Sequence, residues 1–427
     1  MNRSRTAVLP VLLLVALALP AAGDVFRVLD DDREAMQARV DIIQNAQREV
    51  HALYFLARND RITLAALALL REARRCGVGS VRLVVDANFH RIPKGVLAHL
   101  RDEGVEVRVY HPFTLRHPSW LFRRMHEKVV VVDAERYIAG GRNLAESYFG
   151  ISPGRQFVDR DVYVDGSSAV EAVAHFDRVW SSRHVAALKV RVSAAEKRKA
   201  SLVLDNVLKG LAQDGFLVLN TRYDWSEGEK QVDSVRFLHD PVAMKGPRVA
   251  IGLAAILERA RSSVVIESPY LVPTEALLEI LRQKAAEGVA ITILTNSLLS
   301  TDGSLPQAGY LKYRERLARA GIALHEYKGP DSLHAKSMVV DGRIALIGSY
   351  NVDPRSQNLN TEVMCVTEDE AAAAALLASI RSHIESSWRI GPDGSPPDDP
   401  AYPGVPLGKR IRVRIYRFLL PILEAQI

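Results

Sequence analysis

Two stretches of this 427-residue chain carry the same arrangement of residues, and that repetition limits the fold more than any other feature. Residues 125–143 are MHEKVVVVDAERYIAGGRN, and residues 333–351 are LHAKSMVVDGRIALIGSYN. Each holds His-x-Lys-x4-Asp, namely His126, Lys128 and Asp133, then His334, Lys336 and Asp341. Each continues through an apolar run to a small-residue corner and an asparagine: Gly140-Gly141-Arg142-Asn143 and Gly348-Ser349-Tyr350-Asn351. The surroundings repeat as well. Residues 64–77 and 275–288 have helical spacing of apolar side chains and stop on glycine, and each precedes an apolar strand, 81–85 and 290–295. A second helix–glycine–strand unit follows in each half, 95–110 and 310–327, and each half closes with a helix running into tryptophan, 169–180 and 371–388. A repeat must be recognised before any fold is assigned. Alternating helix and strand then predicts an α/β protein of two similar repeats, each a sheet flanked by helices. The repeats span 24–182 and 236–390. A connecting segment, 183–235, lies between them and is helical over 195–212.

The ends differ from the body. Arg3 and Arg5 precede an apolar run, 7–22, which ends on the small residues Ala21-Ala22-Gly23. This predicts an export signal over 1–23, and the run is shorter than a membrane-spanning helix requires. The protein is therefore expected to be exported, in a bacterial periplasm or on a membrane surface. A Pro/Gly-rich linker, 391–408, leads to a tail, 409–427. The tail interleaves Lys409, Arg410, Arg412, Arg414 and Arg417 with apolar residues, and Pro421 is expected to limit helix length. Such a segment suits contact with an anionic membrane surface. The formal net charge of +6 sits wholly in the signal and the tail, so the body between them is neutral. A neutral body is a poor footprint for nucleic acid, which is bound through a basic patch. Cys76 and Cys365 are the two cysteines and are expected to be buried free thiols.

The repeated segments carry chemistry. His126 and Lys128, like His334 and Lys336, stand two apart on a strand and so share a face. Asp133 and Asp341 fall at the strand end before a turn. Gly141 and Ser349 allow close approach of an anion, and Asn143 and Asn351 supply amides. Each half thus offers an imidazole, an ammonium and an amide. A phosphodiester needs those groups: cations and amides hold the charge growing on its oxygens, one imidazole attacks phosphorus, and the other protonates the leaving alcohol. No metal or other cofactor is required, since the cations come from the protein. His51, His90, His111 and His117 have no ligand spacing, and Tyr54 and Tyr270 end buried strands and are expected in the core.

The paired segments resemble the HKD motifs of the phospholipase D superfamily. Residues 348–362 (GSYNVDPRSQNLNTE), 140–148, 176–180, 267–273 and 295–313 are similar to bacterial cardiolipin synthases, most of all the C-type branch. The likeness spans most of 40–390. It implies a site on a pseudo-twofold axis between the repeats and a covalent phosphohistidine. It also implies His126 as nucleophile and His334 as general acid and base. Lys128, Lys336, Asn143 and Asn351 would hold the phosphate, and Asp133 and Asp341 would support the architecture. Glu362, 28 residues after His334, fits the superfamily's acidic partner of that second-half histidine. In the first half an insertion displaces that position, and Asp161 is the first candidate, with Asp159 second. Arg142 and Arg355 flank the site and could meet a lipid headgroup. The resemblance implies a phosphatidyl transferase that makes cardiolipin from phosphatidylglycerol and a second phospholipid. Hydrolysis to phosphatidic acid is the other outcome of the same chemistry; a nucleic-acid phosphodiesterase and a non-catalytic lipid binder are further alternatives. The expected partners are phospholipids and a membrane surface, with no nucleic acid, in a monomer that could take an accessory protein.

Overall fold

The computed structural model describes residues 23–221, 230–242, 246–399 and 404–423. The expected signal, apart from Gly23, and the last four residues of the tail lie outside them. Two sheets dominate. Across the first, the strands are ordered Val185–Ala187, Glu106–Tyr110, Ser80–Asp86, Glu49–Tyr54, Lys128–Val132, Arg136–Gly140, Asp161–Asp165, Asp24–Leu29 and Lys230–Val232. The second has the same order: Ser387–Arg389, Ala323–Tyr327, Ala290–Asn296, Ser263–Glu267, Ser337–Val340, Ile344–Gly348, Val363–Glu368 and Val235–His239. In each sheet three neighbouring strands pair in parallel and the rest antiparallel. The duplication legible in the sequence is therefore a duplication of topology.

Local chemistry builds the parallel part. Helix Arg61–Arg75 crosses between two parallel strands; Asp60 caps its start by accepting from Thr63 N–H, and Gly77 at φ 97° lets the chain turn back. Helix Glu275–Ala286 does the same in the second half, capped by Thr274 and followed by Gly288 at φ 90°. The valine run Val129–Val132 lacks alternation because both faces of its strand are covered. Val130 and Val132 pack under the outer helices of the first half, while Val129 and Val131 join a central core. That core also takes Val339, Ala345, Ile347, Val363 and Cys365 from the second sheet, with Ala169, Ala172, Ala372 and Leu376 from the helices that precede each tryptophan. The inner faces of the two sheets are thus buried against one shared core.

The segment 183–235 is more than a connection. Its strand Val185–Ala187 extends one edge of the first sheet, and Lys230–Val232 extends the other. Its helix, Ala194–Gln213, carries a capping box at Ser193 and Glu196 and buries Leu204, Leu208 and Leu211 in the first half's outer core. The tail forms helix Leu407–Leu423, which passes Pro421 and packs on helix Ser304–Arg319 through Val413 and Leu420. Cys365 is buried and free as expected, whereas Cys76, at a helix C-cap, is free but exposed. Among the described residues no helix is long and apolar enough to cross a membrane.

Candidate active site

The two motifs meet between the sheets, joined by two short parallel ladders. Arg124–Met125 pairs with Asn360–Thr361, and Phe157–Val158 pairs with Ser332–Leu333. Each ladder crosses from one half to the other and ends just before a motif histidine. His126 N–H donates to Thr361 O at 3.0 Å, and His334 N–H donates to Val158 O at 2.7 Å. The next residue on each crossing strand is an acid, and this fixes how the histidines are oriented.

The acids are exchanged between the halves. His126 Nδ1 lies 3.0 Å from both carboxylate oxygens of Glu362, and His334 Nδ1 lies 2.6 Å from Asp159 Oδ2. Asp159 is the counterpart of Glu362, since Gly140 pairs with Asp161 as Gly348 pairs with Met364. The first-choice partner, Asp161, reaches neither histidine. It is ion-paired with Arg39 at 2.8 Å and with Arg142 at 3.3 Å, both wholly inside the first half. The two aspartates stand two apart, so alternation does not separate them; Asp159 lies between the strands Phe157–Val158 and Asp161–Asp165, and its own Oδ1 accepts from Arg160 N–H at 2.8 Å.

Each lysine stands beside its own histidine. Lys128 Nζ donates to His126 O, and Lys336 Nζ donates to His334 O and lies 2.8 Å from His334 Nδ1. Both lysines are buried. Burial, only partly offset by Glu362, pushes Lys128 down to about 7; burial against the pull of Asp159 and Glu362 pushes Lys336 down to about 8. Burial and then the two lysine charges hold His126 well below the ordinary imidazole range. His334 is also lowered, by burial and Lys336, but Asp159 pulls the other way. Burial lifts Glu362 to about 7 against the pull of Lys128. For Asp159 burial works against ionisation, yet His334 and Lys336 outweigh it and keep the carboxyl below its usual range.

Several predicted contacts take other parts. Asp133, at φ 57°, accepts from the backbone N–H groups of Gln47, Arg48 and Glu49 at 2.7–2.9 Å. Asp341, at φ 54°, accepts from Arg261, Ser262 and Ser263 in the same way. The two aspartates tie the turn of one strand to the start of its neighbour, far from the imidazoles. The Ser349 hydroxyl donates to Glu362, so it serves the acid. Gly141 makes room for the other acid: a Cβ there would lie 1.9 Å from Asp159 Oδ1. Arg142 is fully buried and spent on Asp32, Asp161 and the carbonyls of Leu29 and Asp30, which excludes it from headgroup contact. Arg355 donates to Phe122 O at 2.9 Å near His126. Asn143 Oδ1 accepts from Leu56 N–H at 3.2 Å, while Asn351 Oδ1 is buried with no partner among the described residues.

Other site residues escaped the sequence reading. Ser356 and Asn360 donate to Glu362 at 2.8 and 3.3 Å. Both lie in the 348–362 stretch whose likeness to cardiolipin synthases is quoted above, and that was the available signal. Phe55 packs edge-on against His126 at 4.9 Å, and Tyr148 and Phe157 pack on His334 at 5.2 Å. No spacing marks these three rings, which reach the site from the end of a strand, a 3-10 turn and a crossing ladder. Tyr54 is core, with Arg39 donating to its hydroxyl, whereas Tyr270 is half-buried and donates to Asp302, whose charge acts on His334.

Comparison with known proteins fits this geometry. The family model described as "Cardiolipin synthase, PLD-like domain" matches residues 40–180 and 253–388. An uncharacterized protein of Helicobacter pylori strain J99 is 27% identical over 414 residues, covering 85% of this chain and 80% of that one. Cardiolipin synthase C of Escherichia coli K12 is 29% identical over 406 residues, covering 85% of each chain. The crystal structure of phosphatidylserine synthase from Haemophilus influenzae superposes with a TM-score of 0.69 at 15% identity, over 94% of this chain and 95% of that one, and so shares the fold.

Proposed function

The chain belongs to the family of cardiolipin synthase, phospholipase D-like domains, and from that premise we propose that it makes cardiolipin from phosphatidylglycerol and a second phospholipid through a phosphohistidine. That it is a phospholipid-modifying enzyme follows from the family and its relatives; the substrates and the intermediate are this reading. The observation that carries it is the pair of buried imidazoles, each with Nδ1 turned to a carboxylate of the opposite half.

An Nδ1–H donated to a carboxylate leaves Nε2 with its lone pair toward the substrate. Held neutral, His126 Nε2 attacks phosphorus of phosphatidylglycerol. A P–N bond forms, the P–O bond to the headgroup glycerol breaks, and His334 supplies the proton that leaves with the alcohol. His334 then takes the proton of an acceptor lipid hydroxyl, whose oxygen displaces His126 from phosphorus. Cardiolipin leaves and both histidines return to their first state. The assignment of acid to His334 is supported by Asp159, which stays ionised beside it and favours imidazolium, whereas His126 lies beside a carboxyl lifted toward neutrality. Lys128 and Lys336 offset the charge on the phosphoryl oxygens.

The shifts set the pH dependence. kcat/KM reports groups of the free enzyme. Below about 7 Glu362 takes up a proton and loses its hold on His126 Nδ1–H, so kcat/KM falls on the acid side. Above about 7 to 8 Lys128 and Lys336 lose charge and with it the anion, so it falls on the basic side. Glu362 and Lys128 titrate as a coupled pair, so the limbs carry the pair's apparent values. A narrow bell centred a little above 7 is expected in a pH profile, and Glu362→Gln flattens its acid limb.

The direct test incubates the full chain with phosphatidylglycerol vesicles, with and without phosphatidylethanolamine, in EDTA, and reads lipid products by mass spectrometry. Cardiolipin that disappears with His126→Ala supports the transferase, and its dependence on phosphatidylethanolamine makes that lipid the phosphatidyl donor in place of phosphatidylglycerol, whose hydroxyl is then the acceptor. Phosphatidic acid alone replaces it with a hydrolase.

A further inference from the structure

Eight of the fourteen large hydrophobic side chains exposed among the described residues belong to two elements, and both elements border the active site. The first is the loop 111–123, which enters the first motif's crossing ladder. It presents Phe113, Leu115, Leu121 and Phe122 outward, with Leu115 at 87% exposure. The equivalent connection in the second half needs only residues 328–331, so the fold itself does not require this loop. Nor is it loosely held. Trp120 stacks on His111 at 4.6 Å, His111 is bonded to His184 and to Arg123 O, and Arg124 and Arg355 bind the carbonyls of Trp120 and Phe122 from inside. An ordered backbone thus faces its polar groups inward and its apolar side chains to solvent. Phe89, also at the surface, packs on Phe55, the ring that lies against His126.

The second element is the tail helix. Its Val413 and Leu420 are buried on the body, yet Leu407, Ile411, Ile415 and Phe418 recur at i, i+4, i+8 and i+11 along the opposite side and are all exposed. Arg410, Arg412, Arg414 and Arg417, exposed too, flank this stripe. Near its start Lys409 Nζ donates to Leu299 O and Thr301 O at 3.2 and 2.6 Å. That loop follows the strand whose Asn296 holds Leu333, the neighbour of His334. One apolar element therefore stands on the His126 side of the site and the other on the His334 side.

We propose that loop 111–123 and the exposed stripe of helix Leu407–Leu423 form one docking surface for an anionic phospholipid bilayer, which sets the mouth of the active site against the lipid. The inference rests on the lipid substrate proposed above. Charge selects the occupant. Four arginines beside the stripe, with exposed Arg116 and Arg123 on the loop, complement anionic headgroups, and the apolar side chains between them enter the interface. This extends membrane contact from the tail to a loop of the first half.

The test is co-sedimentation of the full chain with vesicles of equal phosphatidylglycerol and phosphatidylcholine, beside vesicles of phosphatidylcholine alone. The chain is expected to prefer the anionic vesicles and to lose them as salt rises. The triple variants Phe113→Ser/Leu115→Ser/Phe122→Ser and Ile411→Ser/Ile415→Ser/Phe418→Ser are each expected to bind at least about tenfold more weakly. The single changes Leu115→Asp and Phe418→Asp, at side chains almost wholly in solvent, are read in the same way should a triple variant fail to fold. Undiminished vesicle binding by folded variants of either element overturns the proposal, as does a dimer that covers both faces. Binding is scored separately from turnover. If the variants lose vesicles while the parent chain turns over no lipid, the docking surface stands and the functional reading fails. If lipid is turned over by variants that bind as the parent does, the docking surface fails alone.

Discussion

The His126→Ala chain is expected to lose about 10⁴-fold or more in turnover, and Glu362→Gln about 10²- to 10⁴-fold, although the two residues come from opposite halves of the chain. Glu362, by accepting from His126 Nδ1–H, fixes the tautomer that bares Nε2, and its amide replacement removes the charge that does so. Because the pair acts as one unit, the double variant should be barely worse than His126→Ala alone. The crossed arrangement makes a sharper forecast with an activated substrate, the p-nitrophenyl ester of phosphatidic acid. Nitrophenolate leaves without a proton, so the first step dispenses with the acid but still needs the nucleophile. Of the two histidines, Asp159→Asn disturbs the orientation of His334 and should keep a burst of nitrophenolate. Glu362→Gln disturbs His126 and should abolish it. The reverse pattern would assign nucleophilic attack to His334.

Much of this was legible in the chain. Two copies of His-x-Lys-x4-Asp in matching places of a repeat can be placed together only by a doubled fold, and the two sheets repeat one strand order. The glycine stops at Gly77 and Gly288 marked the crossovers because only a residue free of Cβ strain turns there cheaply. The acid partners were less legible for a definite reason. Glu362 was found by its distance along the chain from His334, but it orients His126, and chain distance carries no information about which half a side chain faces. Asp159 and Asp161 stand two apart, and alternation gives them equal standing; only the ladder between the halves that ends at Val158 and the buried Arg39 and Arg142 decide between them. The exposed apolar loop 111–123 gave no signal at all, since its phenylalanines and leucines are compositionally indistinguishable from core.

Between the two aspartates lies the residue with the largest expected effect on stability. Arg160 is fully buried and joins the halves: its Nε donates to Asp30 at 2.6 Å, its Nη1 to Glu267 and to Ser337 Oγ, and its Nη2 to Ser379. Glu267 has no exposure, and although burial opposes its ionisation, Arg160 and His383 keep it charged. Removing the guanidinium strands that charge in the interface. Arg160→Met is therefore expected to cost about 3–5 kcal/mol, seen as a lower urea midpoint of tryptophan fluorescence. The cost should come from the orphaned carboxylate rather than from the lost pair. Arg160→Met/Glu267→Leu should then recover most of it, because a buried ion pair replaced by apolar groups of similar volume is often near neutral. Recovered stability need not restore turnover. Arg160 N–H also donates to Asp159 Oδ1, and the anchored side chain holds the residue next to the acid that orients His334. The double variant should melt near the parent chain and still turn over lipid more slowly, which would separate the clamp between the halves from the catalytic orientation it happens to carry.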